Sequence, residues 1–374
     1  MKHNKNILIV NTFGIGDVLF STPLLEVLKR TLPGVEISYI CNKRTCHVLK
    51  NNKNVSNIIV FEKDHFRDVA KKSKIRFLKM FLALCKKIKS LDADIMIDLT
   101  LNYRASLIGK ILGIPRRIGF NYRNRGKFLT NRIELEGFDK KHVALYYLDL
   151  LKLIGLEIPD NIFTSAFCLK EDEEWADNFM KTKSINKKFI LGVVPGGGKS
   201  WGSEARYRRW PVSHFAHVTD RLIHDFQIPI LLFGDSTEAE LCKNMESFMR
   251  NPIINIAGKT TVGQFMALVS RCSIIFCNEG GPLHISVALK IPTVSIFGPV
   301  DEKIYGPYSP EISKHIVVSN RASCLPCYAK FKHRKCESIT CLNSISEDEA
   351  YNAIRGLMEK LGKQPMYSGN KKNE

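Results

Sequence analysis

The sequence predicts an α/β protein made of two doubly wound, Rossmann-like domains facing a cleft. Three observations predict it. Apolar runs of strand length alternate with helical periodicity through the first half, the pattern lapses near residues 157–161, and it then begins again. Four strand-like runs of the second half each end in a glycine-bearing turn, the place where open parallel sheets hold ligands. At 374 residues the chain has room for two cores of ordinary size.

Taken in order, Ile7-Leu-Ile-Val10 reads as a buried parallel strand, and 36–41, 57–61 and 95–99 as its partners. Helical patterns fall at 22–31, 43–50, 66–90 and 103–112, and residues 142–154 close the half with Gly155 as a C-cap. Glu157-Ile-Pro-Asp-Asn161 marks the linker, so the first domain spans 1–160. Phe189–Val194 then runs into Pro195-Gly-Gly-Gly198, and Ile228–Phe233 ends at Gly234-Asp235. Ile274–Cys277 leads into Asn278-Glu-Gly-Gly-Pro-Leu-His284, and Thr293–Phe297 into Gly298-Pro299. The second domain spans 161–345, an amphipathic helix covers 346–362, and the polar tail 363–374 is expected to be disordered.

A net charge of +19 calls for anionic partners: nucleic acid, an anionic membrane face or phosphorylated substrates. The first apolar run is too short for a secretory signal core, and no segment reaches 18 uninterrupted apolar residues, so a cytoplasmic protein is expected. Eleven cysteines without a signal peptide read mostly as reduced thiols, with Cys41, Cys85, Cys272 and Cys277 as small core residues.

The richest stretch is Asn11-Thr-Phe-Gly-Ile-Gly-Asp17, a strand-to-helix turn with a carboxylate at its tip. Asp17 has two readings, a helix cap or a group that works on a ligand. Pro195-Gly-Gly-Gly-Lys-Ser200 fails the Walker A spacing, because Val193 stands where the first glycine is required. It remains a glycine turn at a strand end, followed by the cations of Arg206-Tyr-Arg-Arg-Trp-Pro211. In the 278–284 cluster, Glu279 can accept from ribose hydroxyls, glycine N–H groups can face a phosphate, and His284 can reach either. Taken alone, His284 reads as a core histidine.

Cys324, Cys327, Cys336 and Cys341 allow a structural zinc site, free thiols or a disulfide-linked loop. The basic, amphipathic segment Phe66–Ser90 suits either an anionic membrane surface or a packed helix with a solvated basic face. A second basic stretch contains Arg116, Arg117, Arg123, Arg125, Lys127 and Arg132 among aromatic residues, and suits a phosphorylated or carboxylated acceptor.

Together these motifs resemble the glycosyltransferase family 9 heptosyltransferases over roughly residues 5–355. The resemblance runs through Gly16-Asp-Val-Leu-Phe-Ser-Thr22-Pro23, Asp98–Ser106, Arg117-Ile-Gly-Phe120, Arg209-Trp-Pro211, Ile256-Ala-Gly258, the 278–284 cluster and Phe297-Gly-Pro299. It implies a GT-B architecture and metal-independent, inverting transfer of a heptose from ADP-heptose to a lipid-linked lipopolysaccharide core. Asp17 would be the general base. Donor contacts would come from Gly196, Gly197, Lys199, Arg208, Glu279, Gly280, Gly281 and His284, and acceptor contacts from Gly16, Thr22, Arg104, Arg117 and Arg123. Arg208 stands where the family usually has lysine, and Glu279 where it usually has aspartate. The implied location is peripheral, on the cytoplasmic face of the membrane. No cofactor is expected for catalysis, and no nucleic acid as a partner. Another nucleotide-sugar, a phosphotransferase and a basic nucleic-acid-binding protein are the competing readings.

Overall fold

The apolar run after Lys5 becomes β1 (Asn6–Val10) in a computed structural model of the chain, which describes residues 5–185, 189–198, 202–320, 322–334 and 336–366. The strands β2 (Glu36–Cys41), β3 (Asn57–Val60), β4 (Ile95–Asp98), β5 (Arg116–Tyr122) and β6 (Asn131–Leu135) join it. All five pairings are parallel and the order is β3-β2-β1-β4-β5-β6. The direction of strand succession therefore reverses between β1 and β4, which is the topological switch point. The helices are α1 (Ile15–Phe20), α2 (Thr22–Thr31), α3 (Lys63–Lys72), α4 (Lys74–Lys89), α5 (Tyr103–Ile111) and α6 (Val143–Asp149). Leu8, Val10, Ile40, Ile59, Met96, Ile114 and Ile88 of α4 form one of this unit's cores.

The second unit repeats the scheme. Its strands are β7 (Leu191–Val194), β8 (Ile230–Leu232), β9 (Ile254–Asn255), β10 (Ile274–Asn278), β11 (Thr293–Phe297) and β12 (His315–Ser319). They pair in parallel in the order β12-β11-β10-β7-β8-β9, so the switch point lies between β7 and β10. Its helices include α7 (Lys170–Thr182), α8 (Val212–Phe226), α9 (Ala239–Ser247), α10 (Val262–Val269) and α11 (Gly281–Ala288). Successive strand residues enter different cores. Ile274 and Phe276 pack with Trp210, Phe215 and Phe226, while Ile275 and Cys277 pack with Phe233, Leu268 and Leu283. A period of two with both faces buried is the signature of a sheet covered by helices on each side.

Several boundaries differ from the sequence expectation. The helix expected at 43–50 is only the 3₁₀ turn Cys46–Val48. The helix expected at 66–90 is two helices broken at Ser73, whose hydroxyl caps α4 by accepting the Arg76 N–H at 3.2 Å. The strands β5 and β6 were expected only as a basic stretch. The units divide at Phe167/Cys168 rather than at residue 160. Ile162, Thr164 and Ala166 remain buried, and the Ser165 N–H donates to the Thr22 hydroxyl at 2.9 Å. The C-terminal helix Glu347–Lys360 is part of the second unit's core, where Tyr351, Ile354, Leu357 and Met358 pack with Phe215 and Leu222. The tail begins in order: the Met366 N–H donates to the Asp225 carbonyl at 2.7 Å, and residues 367–374 lie outside the described residues.

Candidate active site

In the first unit the turn after β1 is fixed by side chains. Asn11 is buried; its Oδ1 accepts the Phe13 N–H and its Nδ2 donates to the Asp17 carbonyl, both at 3.1 Å. Asn42, just past β2, donates to the Phe13 carbonyl at 2.7 Å. Gly14 is the N-cap of α1, and Asp17 is the third residue of the helix, reaching back to accept the Gly14 N–H at 3.1 Å. Asp17 thus belongs to the capping geometry, from inside the first turn and not from the N-cap position. Its half-buried carboxylate sits at the positive end of α1, beside the switch point.

The neighbouring strand ends add a carboxylate and cations. Asp98 closes β4 and is buried, with Oδ1 accepting from the Thr100 N–H at 2.9 Å and the Thr100 hydroxyl at 2.7 Å. Burial pushes its pKa up to about 6 against the pull of those hydrogen bonds. Arg104 in the first turn of α5 is exposed. Arg123, just past β5, is exposed with φ of 49°, and its guanidinium lies 5.1 Å from the Tyr122 ring centre. Since β1, β4 and β5 are adjacent and parallel, Gly16, Asp17, Arg104 and Arg123 follow neighbouring strand ends on one edge of the sheet.

Two expected acceptor residues have other work. Thr22 is fully buried, donating to the Leu19 carbonyl at 2.7 Å and accepting from Ser165, so it tethers the end of the unit. The Arg117 guanidinium donates to the carbonyls of Phe128 (2.8 Å) and Ile114, clamping β5 to the loops around it.

In the second unit Asn278 organises the switch point. It is fully buried, with Nδ2 donating to the Pro195 carbonyl at 2.7 Å and Oδ1 accepting the Trp210 N–H at 3.0 Å. The glycine turn and the Arg-Trp-Pro segment are thereby held to the end of β10. Gly280 has φ of 152°, and a Cβ there would lie 2.5 Å from the Gly197 carbonyl oxygen, so both the conformation and the close approach require glycine. Gly281 and Pro282 then begin α11, and His284 is buried in its first turns.

Arg208 and Glu279, expected as separate donor contacts, bind each other. Nε and Nη2 of Arg208 meet the two carboxylate oxygens of Glu279, and Nη2 also donates to the Glu279 carbonyl at 3.3 Å. Both side chains are buried, at 9% and 6% exposure, so this is a desolvated bidentate pair. A second buried carboxylate, Glu238, supports the glycine turn. It accepts from the Gly198 N–H at 2.9 Å and the Asp235 N–H at 3.1 Å, and it pairs with Arg209 at 3.2 Å. A Cβ on Gly196 would strike that carboxylate at 2.2 Å. Lys199 lies outside the described residues.

The structural zinc reading finds no support: Cys324, Cys327, Cys336 and Cys341 form no disulfide, and among the described residues no three Cys, His, Asp or Glu side chains form a group able to hold a metal ion. Burial, together with the nearby thiols, pushes Cys327 up to about 11. The sequence expectation gives no role to Asn11, Asn42, Asp98, Glu238 or Asn278, although Asn11, Asp98 and Asn278 fall within its motifs. Four of them end a buried strand or directly follow one, and that position is the signal that could have found them; Glu238 lies a turn further on.

Two doubly wound units of the same strand order, each with its polar groups at the switch point, define the GT-B class. The chain belongs to glycosyltransferase family 9 (heptosyltransferase), whose family model matches residues 81–337. It is similar to lipooligosaccharide heptosyltransferase 2 of Campylobacter jejuni, 35% identical over 158 residues that make up 40% of this chain and 47% of that protein. The chain thus spans about half the length of that relative. A solved glycosyltransferase family 9 structure from Veillonella parvula superposes with a TM-score of 0.80 at 24% identity, covering 96% of this chain and 99% of that one. The Escherichia coli ADP-heptose LPS heptosyltransferase II gives a TM-score of 0.73 at 19% identity, covering 96% and 99%.

Proposed function

We propose that this protein transfers a heptose from ADP-heptose to a lipid-linked, anionic lipopolysaccharide core oligosaccharide, with inversion. The observation that carries the reading is Asp17, a carboxylate on a fixed turn at the first unit's switch point. The second unit's switch point carries glycine turns and the Arg208–Glu279 pair. Family membership and the ADP-heptose enzyme among the structural neighbours support the donor.

In this reading the acceptor hydroxyl oxygen attacks the anomeric carbon, its proton passes to Asp17, and the bond to ADP breaks with both electrons leaving on the diphosphate. The N-terminal N–H groups of α11 and the cations around the glycine turn stabilise that departing charge. Gly196, Gly197, Gly280, Gly281 and His284 line the donor side, and Arg104 and Arg123 serve the acceptor's anionic groups. The net charge of +19 supports a place at an anionic, cytoplasmic membrane face, and among the described residues no helix is long and apolar enough to cross a membrane.

The test measures ADP release from ADP-heptose with a core acceptor. Asp17→Asn keeps an acceptor for the Gly14 N–H and lowers kcat by about 10²–10⁴ if Asp17 is the base. Turnover near the parent value in a folded variant leaves Asp17 with its capping role alone. An enzyme that releases UDP or GDP from the matching sugars but no ADP refutes the donor.

A further inference from the structure

The helix α4 carries one apolar arc that is wider than the face it buries. At 100° per residue, Phe77, Phe81, Leu84 and Ile88 cluster on one side, and these face the unit's interior: Ile88 is buried in the core and Phe77 stacks with Phe81. Ile75, Leu78 and Leu82 fall together about 120° further round, and they are among the most exposed large apolar residues, at 71%, 54% and 56%. Lys79, Lys86 and Lys89 project within the same outward arc, and Lys71, Lys72 and Lys74 stand at the break between α3 and α4. A monomer gains nothing by exposing three aliphatic side chains on successive turns, so a second surface is implied.

We propose that the outer face of α4 docks on an anionic lipid bilayer, with Ile75, Leu78 and Leu82 entering the interface and Lys79, Lys86 and Lys89 meeting lipid phosphates. Charge selects this occupant. A second copy of the chain would set like-charged lysines against one another, and nucleic acid offers nothing for three aliphatic side chains to bury against. An anionic bilayer accepts both kinds of group at once. The inference rests on the reading of a lipid-linked acceptor, to which it adds the contact surface, but it is tested without that acceptor.

The full chain is floated with vesicles of equimolar phosphatidylglycerol and phosphatidylethanolamine, and with vesicles of phosphatidylcholine alone. Binding to the anionic vesicles is expected. The combined variant Ile75→Ser, Leu78→Ser, Leu82→Ser lowers the partition coefficient by about tenfold or more at unchanged net charge. The variant Lys79→Gln, Lys86→Gln, Lys89→Gln loses the preference for anionic lipid. A single Leu78→Trp variant gives an emission that shifts to the blue on adding anionic vesicles, which reports insertion in a helix that keeps its apolar character. Equal binding by the serine variant, no blue shift, or a parent dimer that the serine variant dissolves each overturns the proposal. Transfer to a water-soluble, delipidated acceptor is measured alongside. Its loss with vesicle binding intact refutes the proposed activity and leaves the docking surface standing.

Discussion

Removing either partner of the Arg208–Glu279 pair leaves a charge in a site that excludes water, and this fixes the sign and size of the effect. Arg208→Met strands the Glu279 carboxylate at 6% exposure, a change that costs about 3–5 kcal/mol in comparable buried pairs. Glu279→Gln strands the guanidinium but keeps one acceptor, so roughly 2–3 kcal/mol is expected. Combining Arg208→Met with Glu279→Gln removes charge and counter-charge together and costs about 1 kcal/mol or less, so the cycle gives a coupling energy of at least about 4 kcal/mol. The assay is urea unfolding followed by tryptophan fluorescence. All three tryptophans, Trp175, Trp201 and Trp210, belong to the second unit, so the signal follows that unit alone. Single variants that each cost less than about 1 kcal/mol and add without coupling would identify a solvent-screened pair and refute the argument.

Two further outcomes follow from the switch points. Asp98 has a folded pKa raised to about 6, so its contribution to stability is fully present below the unfolded value and is lost as pH rises through about 6. Relative to the parent, Asp98→Asn should therefore gain up to about 3 kcal/mol between pH 4 and pH 7.5 by calorimetry, and a flat difference refutes the burial argument. Gly280→Ala meets both the positive φ and the Gly197 oxygen at 2.5 Å, and should cost more than about 2 kcal/mol. Gly113→Ala, at φ of 82° with open space around it, should cost only about 1 kcal/mol; equal losses would remove the steric term.

Strand positions were legible where both faces are buried, because continuous apolar runs such as Ile7–Val10 and Ile274–Cys277 have few other readings. The strands β5 and β6 were not: Arg116 and Arg117 mask the start of β5, although its Ile118–Tyr122 is buried, and the edge strand β6 buries only Leu135. The break at Ser73 was hidden because the apolar residues of α3 and α4 stay in helical register across it. Site residues were legible as a set gathered at glycine turns. Their partners were not: nothing local shows that Arg208 meets Glu279, since the two are brought together only by the placement of β10 beside β7. Thr22 and Arg117 carried the right residue types for a ligand, but tertiary hydrogen bonds engage them elsewhere.

The Glu238 carboxylate under the glycine turn has one more consequence. In nucleotide-binding loops of the Walker type the anion held by successive backbone N–H groups is the substrate itself, and the loop orders around it. Here the Gly198 amide already holds an anion that is covalently part of the chain and cannot diffuse away. The turn is therefore formed before any nucleotide arrives. A ligand that binds beside it has less conformational entropy to remove, and it must be recognised by a surface whose shape is set in advance.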